Sequence, residues 1–100
     1  GGCVPAFAAM FLEAMADGGV ACGLPRAAAV QYAAQMMLGT AKMVLETGQH
    51  PGVLKDSVCS PAGSTIQGVQ TLEKCGMRAA VFDAVTVAYE KNVELKKASD

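Results

Sequence analysis

The chain has 100 residues, 52% of them hydrophobic and only 17% charged, with a net charge of −1. That length suits one small domain or a piece of a larger protein, and the charge balance excludes the basic footprint of nucleic-acid binding. A globule this small has too little interior for so much apolar surface, which therefore needs a partner subunit, a further domain or a membrane.

A membrane is the weakest of these. No uninterrupted apolar run reaches the ~20 residues of a span, and the longest candidate, Ala27 to Leu45, is broken by Gln31, Gln35, Gly39 and Lys42. The N-terminus has no basic leader, so a signal peptide is not indicated. The four cysteines, Cys3, Cys22, Cys59 and Cys75, are widely spaced, form no CxxC pair and have one histidine for company. Zinc sites bring ligands in close pairs, so no metal is expected. Thiols so placed read as reduced ones. The expected location is the cytoplasm, with an organelle as the alternative.

In chain order almost everything reads as helix, because no stretch alternates and aromatic residues are few. Pro5 suits a first helical turn, and "AFAAMFLEAMA" has high helix propensity. "DGG", Asp17 to Gly19, should stop that helix, leaving "VACG" as a short turn ending at Gly23. Pro25 opens a long second helix, Arg26 to about Glu46. Its apolar residues, Ala27, Val30, Ala33, Ala34, Met36, Met37, Leu38, Ala41, Met43 and Val44, cover nearly the whole circumference. Such a helix is buried all round, which a small monomer cannot arrange, so it is expected between subunits.

Gly48 should cap that helix. "PGVLKDSV" reads as a short helix with Val53 and Leu54 inward. A helix from about Ser64 to Lys74 follows, with Ile66, Val69 and Leu72 on one side, and Gly76 breaks it. The last helix runs from about Met77 to Lys97. Val81, Val85, Ala88 and Val93 form its expected buried stripe, with Phe82 and Tyr89 alongside. Lysines at its end suit a helix C-terminus.

The polar loop "KDSVCSPAGSTIQG", Lys55 to Gly68, stands out in this apolar chain. Ser64 or Thr65 can cap the helix after it, and Ala62 and Gly63 leave the backbone open. A helix N-terminus with small residues presents free N–H groups and partial positive charge to an anion. Ser60, Ser64 and Thr65 add hydroxyl donors. An ordinary capped turn would look the same in sequence. The loop lacks the Lys-Ser/Thr of a phosphate cradle, and no GxGxxG occurs in the chain. Other candidates are weaker. His50 with Cys59 could form a nucleophile pair. Glu13 and Asp17, four apart, could do acid–base work or simply face water. Asp56 could orient a serine. Lys42 most simply snorkels to solvent.

The run from "ADGGVACGLPR" through "HPGVLKDSVCSPAGSTIQGVQTLEKCGMRAAVFDAV" resembles the C-terminal domain of pyrroline-5-carboxylate reductases. The match extends from Gly1 to about Leu95 and is most specific from Leu54 to Gly76. The resemblance implies an all-α, interlocking dimerisation domain, here 1–100, following a Rossmann-type domain absent from this chain. It implies a homodimer, or a higher oligomer of dimers. It further implies hydride transfer from NADPH or NADH, bound mainly by the absent domain, to pyrroline-5-carboxylate, giving L-proline. Carried over residue by residue, Ser60 and the N–H groups near Gly63 and Ser64 would hold the substrate carboxylate. Thr65 would meet the ring nitrogen as the catalytic residue. Ala62 stands where the family usually has Gly, and "GGCVPAF" only partly follows the family's start, leaving cofactor contacts from Gly2 and Cys3 unassigned. Alone, the chain is expected to be inactive. The competing reading is a non-catalytic helical homodimerisation module that keeps the fold only.

Overall fold

In a computed structural model the chain forms five α-helices: α1 (Val4–Ala21), α2 (Arg26–Thr47), α3 (Pro51–Ser57), α4 (Ser64–Lys74) and α5 (Met77–Ser99). The structure describes residues 4–99, so Gly2 and Cys3 lie outside the described residues. No strand occurs among those described, and the all-α expectation holds. Two compact units divide inside α3, one within Gly1–Lys55 and one within Asp56–Asp100.

In the first unit, α1 does not stop at Asp17 but runs on through Gly18 and Gly19 to Ala21. Packing overrides their poor helix propensity. A Cβ on Gly19 would sit 3.3 Å from the Cβ of Ala29 and 3.3 Å from Cδ1 of Leu24, so glycine lets α1 approach α2. The stop falls at Gly23, in the left-handed region at φ 111°. Its N–H donates to the Val20 carbonyl at 2.9 Å, and the Leu24 N–H to that of Gly19 at 3.0 Å. These are the two bonds of a Schellman motif, so "VAC" closes α1 rather than forming a separate turn.

The Arg26 guanidinium meets the Asp17 carboxylate at 2.6 Å across the connection. Both side chains are mostly solvated, so the pair adds at most about 1 kcal/mol. α2 ends where expected: Gly48, left-handed at φ 67°, donates its N–H to the Val44 carbonyl. As expected for a helix that one small chain cannot cover, α2 is mostly exposed in the single chain. Only Ala29 and Ala33 of α2 are buried, with Ala16 of α1 beside them, while Leu38 is 62% and Leu45 83% exposed. α1 covers one face, and nothing among the described residues of the unit covers the others.

His50 opens α3. Its Nδ1 accepts the Gly52 N–H at 2.9 Å, a side-chain cap directly ahead of Pro51 at the first helical position. Val53 is 52% exposed rather than inward. α1, at 18 residues and mean hydropathy 1.3, meets the lower limit of length and composition for a span; this apolar peak precedes the segment from Ala27 to Leu45. Glu13 and Asp17 within it, and its packing on α2, favour a helix that lies against protein.

In the second unit, α4 has the expected bounds and ends at Cys75, followed by left-handed Gly76 at φ 79°. Arg78 Nε meets Glu73 Oε1 at 2.8 Å across the α4–α5 connection. The expected buried stripe of α5 is corrected: Val81 and Val85 are exposed, Ala88 and Val93 half-buried, and Phe82 and Tyr89 are each 69% exposed. Ile66 and Leu72 of α4 are exposed as well. Within this unit, the described residues leave both stripes largely uncovered.

Candidate functional site

Ser60, Pro61, Ala62 and Gly63 form a tight turn closed by the Gly63 N–H, which donates to the Ser60 carbonyl at 3.1 Å. Proline pre-sets φ at the second position, and Ala62 at the third is left-handed, with φ 59°. That combination marks a type II turn, which ordinarily places glycine third. Ala62 is the only non-glycine with positive φ among the described residues. An alanine held there costs roughly 1–2 kcal/mol.

The turn delivers Gly63 extended, at φ −75° and ψ 172°, as the N-cap of α4. The expectation that Ser64 or Thr65 caps the helix is therefore corrected. Gly63 occupies the cap and offers no side chain; Ser64, Thr65 and Ile66 fill the first turn. The Gly63 N–H donates within the turn, to the Ser60 carbonyl. The N–H groups of Ser64, Thr65 and Ile66 have no intrahelical partner, as at any helix start. No other bond to them occurs among the described residues. The hydroxyls of Ser60, Ser64 and Thr65 lie on the exposed surface, and no acidic residue stands in the first turn of α4. Unopposed N–H dipoles and three hydroxyls within six residues suit a small carboxylate.

Gly63 acts by its lack of a side chain. A Cβ there would lie 2.5 Å from Ser60 Oγ and 3.3 Å from the Ser60 carbonyl. Gly63→Ala should therefore turn the Ser60 hydroxyl out of place and cost about 1–2 kcal/mol as overpacking. Chemical denaturation measures it, and an unchanged midpoint would show that the turn tolerates the methyl.

The structure thus gathers Ser60, Gly63, Ser64 and Thr65 into one turn and helix start. The other candidates are occupied elsewhere. His50 Nδ1 is spent on its cap. Asp17 pairs with Arg26 beside Glu13, in a shallow cleft of about 520 Å3 also lined by Leu12 and Val30. Lys42 reaches solvent 3.9 Å from Glu46. Cys59 is a half-buried free thiol, and the Asp56 carbonyl accepts its N–H at 3.2 Å. Sequence reasoning missed the left-handed Ala62, although Pro61 followed by two small residues signals such a turn. It also missed Gln67, whose Nε2 donates to the Ala62 carbonyl at 3.4 Å; no motif announces that bond.

A family model described as pyrroline-5-carboxylate reductase dimerisation matches residues 1–95. The chain is 57% identical over 96 residues to the pyrroline-5-carboxylate reductase of Escherichia coli (strain K12), covering 96% of this chain and 36% of that protein. It is 53% identical over 93 residues to the Arabidopsis thaliana protein of the same name, covering 93% and 34%. A Plasmodium falciparum pyrroline carboxylate reductase solved with NADP bound superposes at TM-score 0.86 and 38% identity, covering 90% of this chain and 34% of that one. A Coxiella burnetii pyrroline-5-carboxylate reductase gives TM-score 0.88 at 33% identity, covering 93% and 34%. The chain thus spans about a third of the length of the relatives it matches.

Proposed function

The chain belongs to the pyrroline-5-carboxylate reductase family, whose dimerisation domain it matches over residues 1–95, and from that premise we propose that it is the dimerisation and substrate-binding part of an oxidoreductase reducing 1-pyrroline-5-carboxylate to L-proline with NAD(P)H. The loop from Ser60 to Thr65 carries this reading, because its hydroxyls and free N–H groups suit a cyclic amino acid. The substrate carboxylate lies against the start of α4, held by the Ser64 and Thr65 N–H groups and the Ser60 hydroxyl. The Thr65 hydroxyl meets the ring nitrogen and orients the imine, whose carbon receives the hydride.

A dinucleotide site is expected to lie mainly outside these 100 residues. Such a site uses a strand, a glycine-rich turn and a helix N-terminus, whereas no strand is described here and no GxGxxG occurs. We assign the nicotinamide, NADPH or NADH, mainly to residues beyond these 100. The reaction places the protein in proline biosynthesis. The free thiols of Cys22, Cys59 and Cys75 favour a reducing compartment, the cytoplasm.

The proposed assembly is a homodimer, alone or in a higher oligomer of dimers. Exposed apolar side chains on α2 and α5 support it, as does a groove of about 650 Å3 between α1 and α2, lined by Phe11, Met15, Met36, Met37 and Val44 among others.

A complete protein carrying this domain should consume NADPH or NADH only when pyrroline-5-carboxylate is supplied, and release L-proline. Failure to form proline would defeat the reading. The 100-residue chain alone should do neither and should give no binding heat with NADPH; saturable binding in calorimetry would contradict the assignment of the cofactor elsewhere.

A further inference from the structure

Ala62 holds a conformation natural to glycine rather than alanine, and its φ of 59° must be maintained by its surroundings. The peptide between Ala62 and Gly63 is fastened at both ends. Its N–H donates to the Ser60 carbonyl at 3.1 Å, and its carbonyl accepts from Gln67 Nε2 at 3.4 Å. Gln67 stands one position beyond the first turn of α4, from which a helical side chain leans back toward the N-terminus. We propose that Gln67 is a positioning residue for the substrate loop: it pins the Ala62 carbonyl, and so fixes how Gly63 enters α4 and where the Ser64, Thr65 and Ile66 N–H groups point. This rests on the reading of Ser60 to Thr65 as the substrate loop.

At 3.4 Å the bond is longer than the usual range of about 2.7–3.2 Å for N–H···O, so its effect is modest. It acts by denying the loop its alternatives. Released from Gln67, Ala62 relaxes toward negative φ and carries the turn with it. With glycine at position 62 the left-handed turn is unstrained, and the latch has less to resist. Ala62 therefore creates the need that Gln67 meets.

The test uses a complete reductase carrying this domain. Gln67→Met keeps side-chain length and helix propensity but removes the donor. It should raise KM for pyrroline-5-carboxylate about three- to tenfold, with kcat within about twofold, as for a lost contribution to binding. In an Ala62→Gly background the same substitution should change KM by less than about twofold, since coupled residues are not additive. A lowered thermal midpoint with unchanged KM would show a merely structural bond and overturn the proposal. An equal rise in KM in both backgrounds would overturn the route through Ala62. Thr65→Ala in the same protein separates two failures. If it impairs turnover while Gln67→Met leaves KM alone, only the latch fails; if neither variant moves the kinetics, the substrate-loop reading fails and the latch with it.

Discussion

Ala41→Glu should convert the dimer to monomer. The parent chain is expected to sediment as a homodimer at micromolar concentration, and the variant as a single chain. Ala41 sits on α2, on the stripe that runs Val30, Ala34, Met37, Ala41, Leu45 at spacings of three and four, which share one face of a helix. Val30 and Leu45 on that stripe are exposed large hydrophobics, and Ala41 is itself exposed. A glutamate there meets water in the isolated chain and keeps helix propensity close to that of alanine, so the protomer's own fold is little disturbed. Once a partner covers the stripe, the carboxylate is buried without a counter-charge. That costs about 3–5 kcal/mol, a weakening of association by roughly a hundredfold or more. Gln35→Glu, on the polar side of the same helix with Gln31, Lys42 and Glu46, is the control and should leave the dimer intact. Because apolar burial is worth about 25 cal/mol per Å2, folding and association should be linked, and the thermal midpoint of the parent should rise with its concentration. Sedimentation equilibrium decides the matter: a dimer of unchanged Kd in Ala41→Glu would place the subunit interface elsewhere.

What could be read from the sequence divides along physical lines. Signals that act within a turn of chain were legible. Gly48 closes α2, and α4 spans Ser64–Lys74, because caps and breakers work through their own backbone. Features set by packing were not. α1 passes through Gly18 and Gly19 because Ala29 of α2 lies against Gly19, a contact that propensity does not encode. The stripe of α2 was legible both as apolar and as one that a lone chain leaves uncovered, whereas that of α5 was legible only as apolar. The site was legible as a group because Ser60, Gly63, Ser64 and Thr65 are contiguous. Its cap was misassigned because serine outranks glycine at that position in general. Here the turn bond from Gly63 to Ser60 fixes Gly63 in the extended conformation that a cap requires.

Thr65→Ala, in a complete reductase carrying this domain, should lower kcat/KM for pyrroline-5-carboxylate by about 10- to 100-fold. One or two hydrogen bonds to a charged substrate are at stake, each worth about 1.5–3 kcal/mol. The carboxylate keeps its fixed backbone donors at the start of α4, so much of the binding should survive. What goes is the hydroxyl that orients the imine, and with it the alignment that hydride transfer needs, so kcat should fall as well as affinity. The competing reading makes Thr65 a helix-start residue and nothing more. The cap, however, is Gly63, with no side-chain bond, and the Thr65 side chain is exposed. Alanine in the first turn has the better helix propensity. A structural role therefore predicts almost no loss of stability, where a true cap would lose about 1 kcal/mol. The two readings separate on one preparation. A thermal midpoint close to the parent's, with kcat/KM reduced at least tenfold, supports the substrate role. Parental kinetics would leave Thr65 a helix-start residue without a part in the reaction.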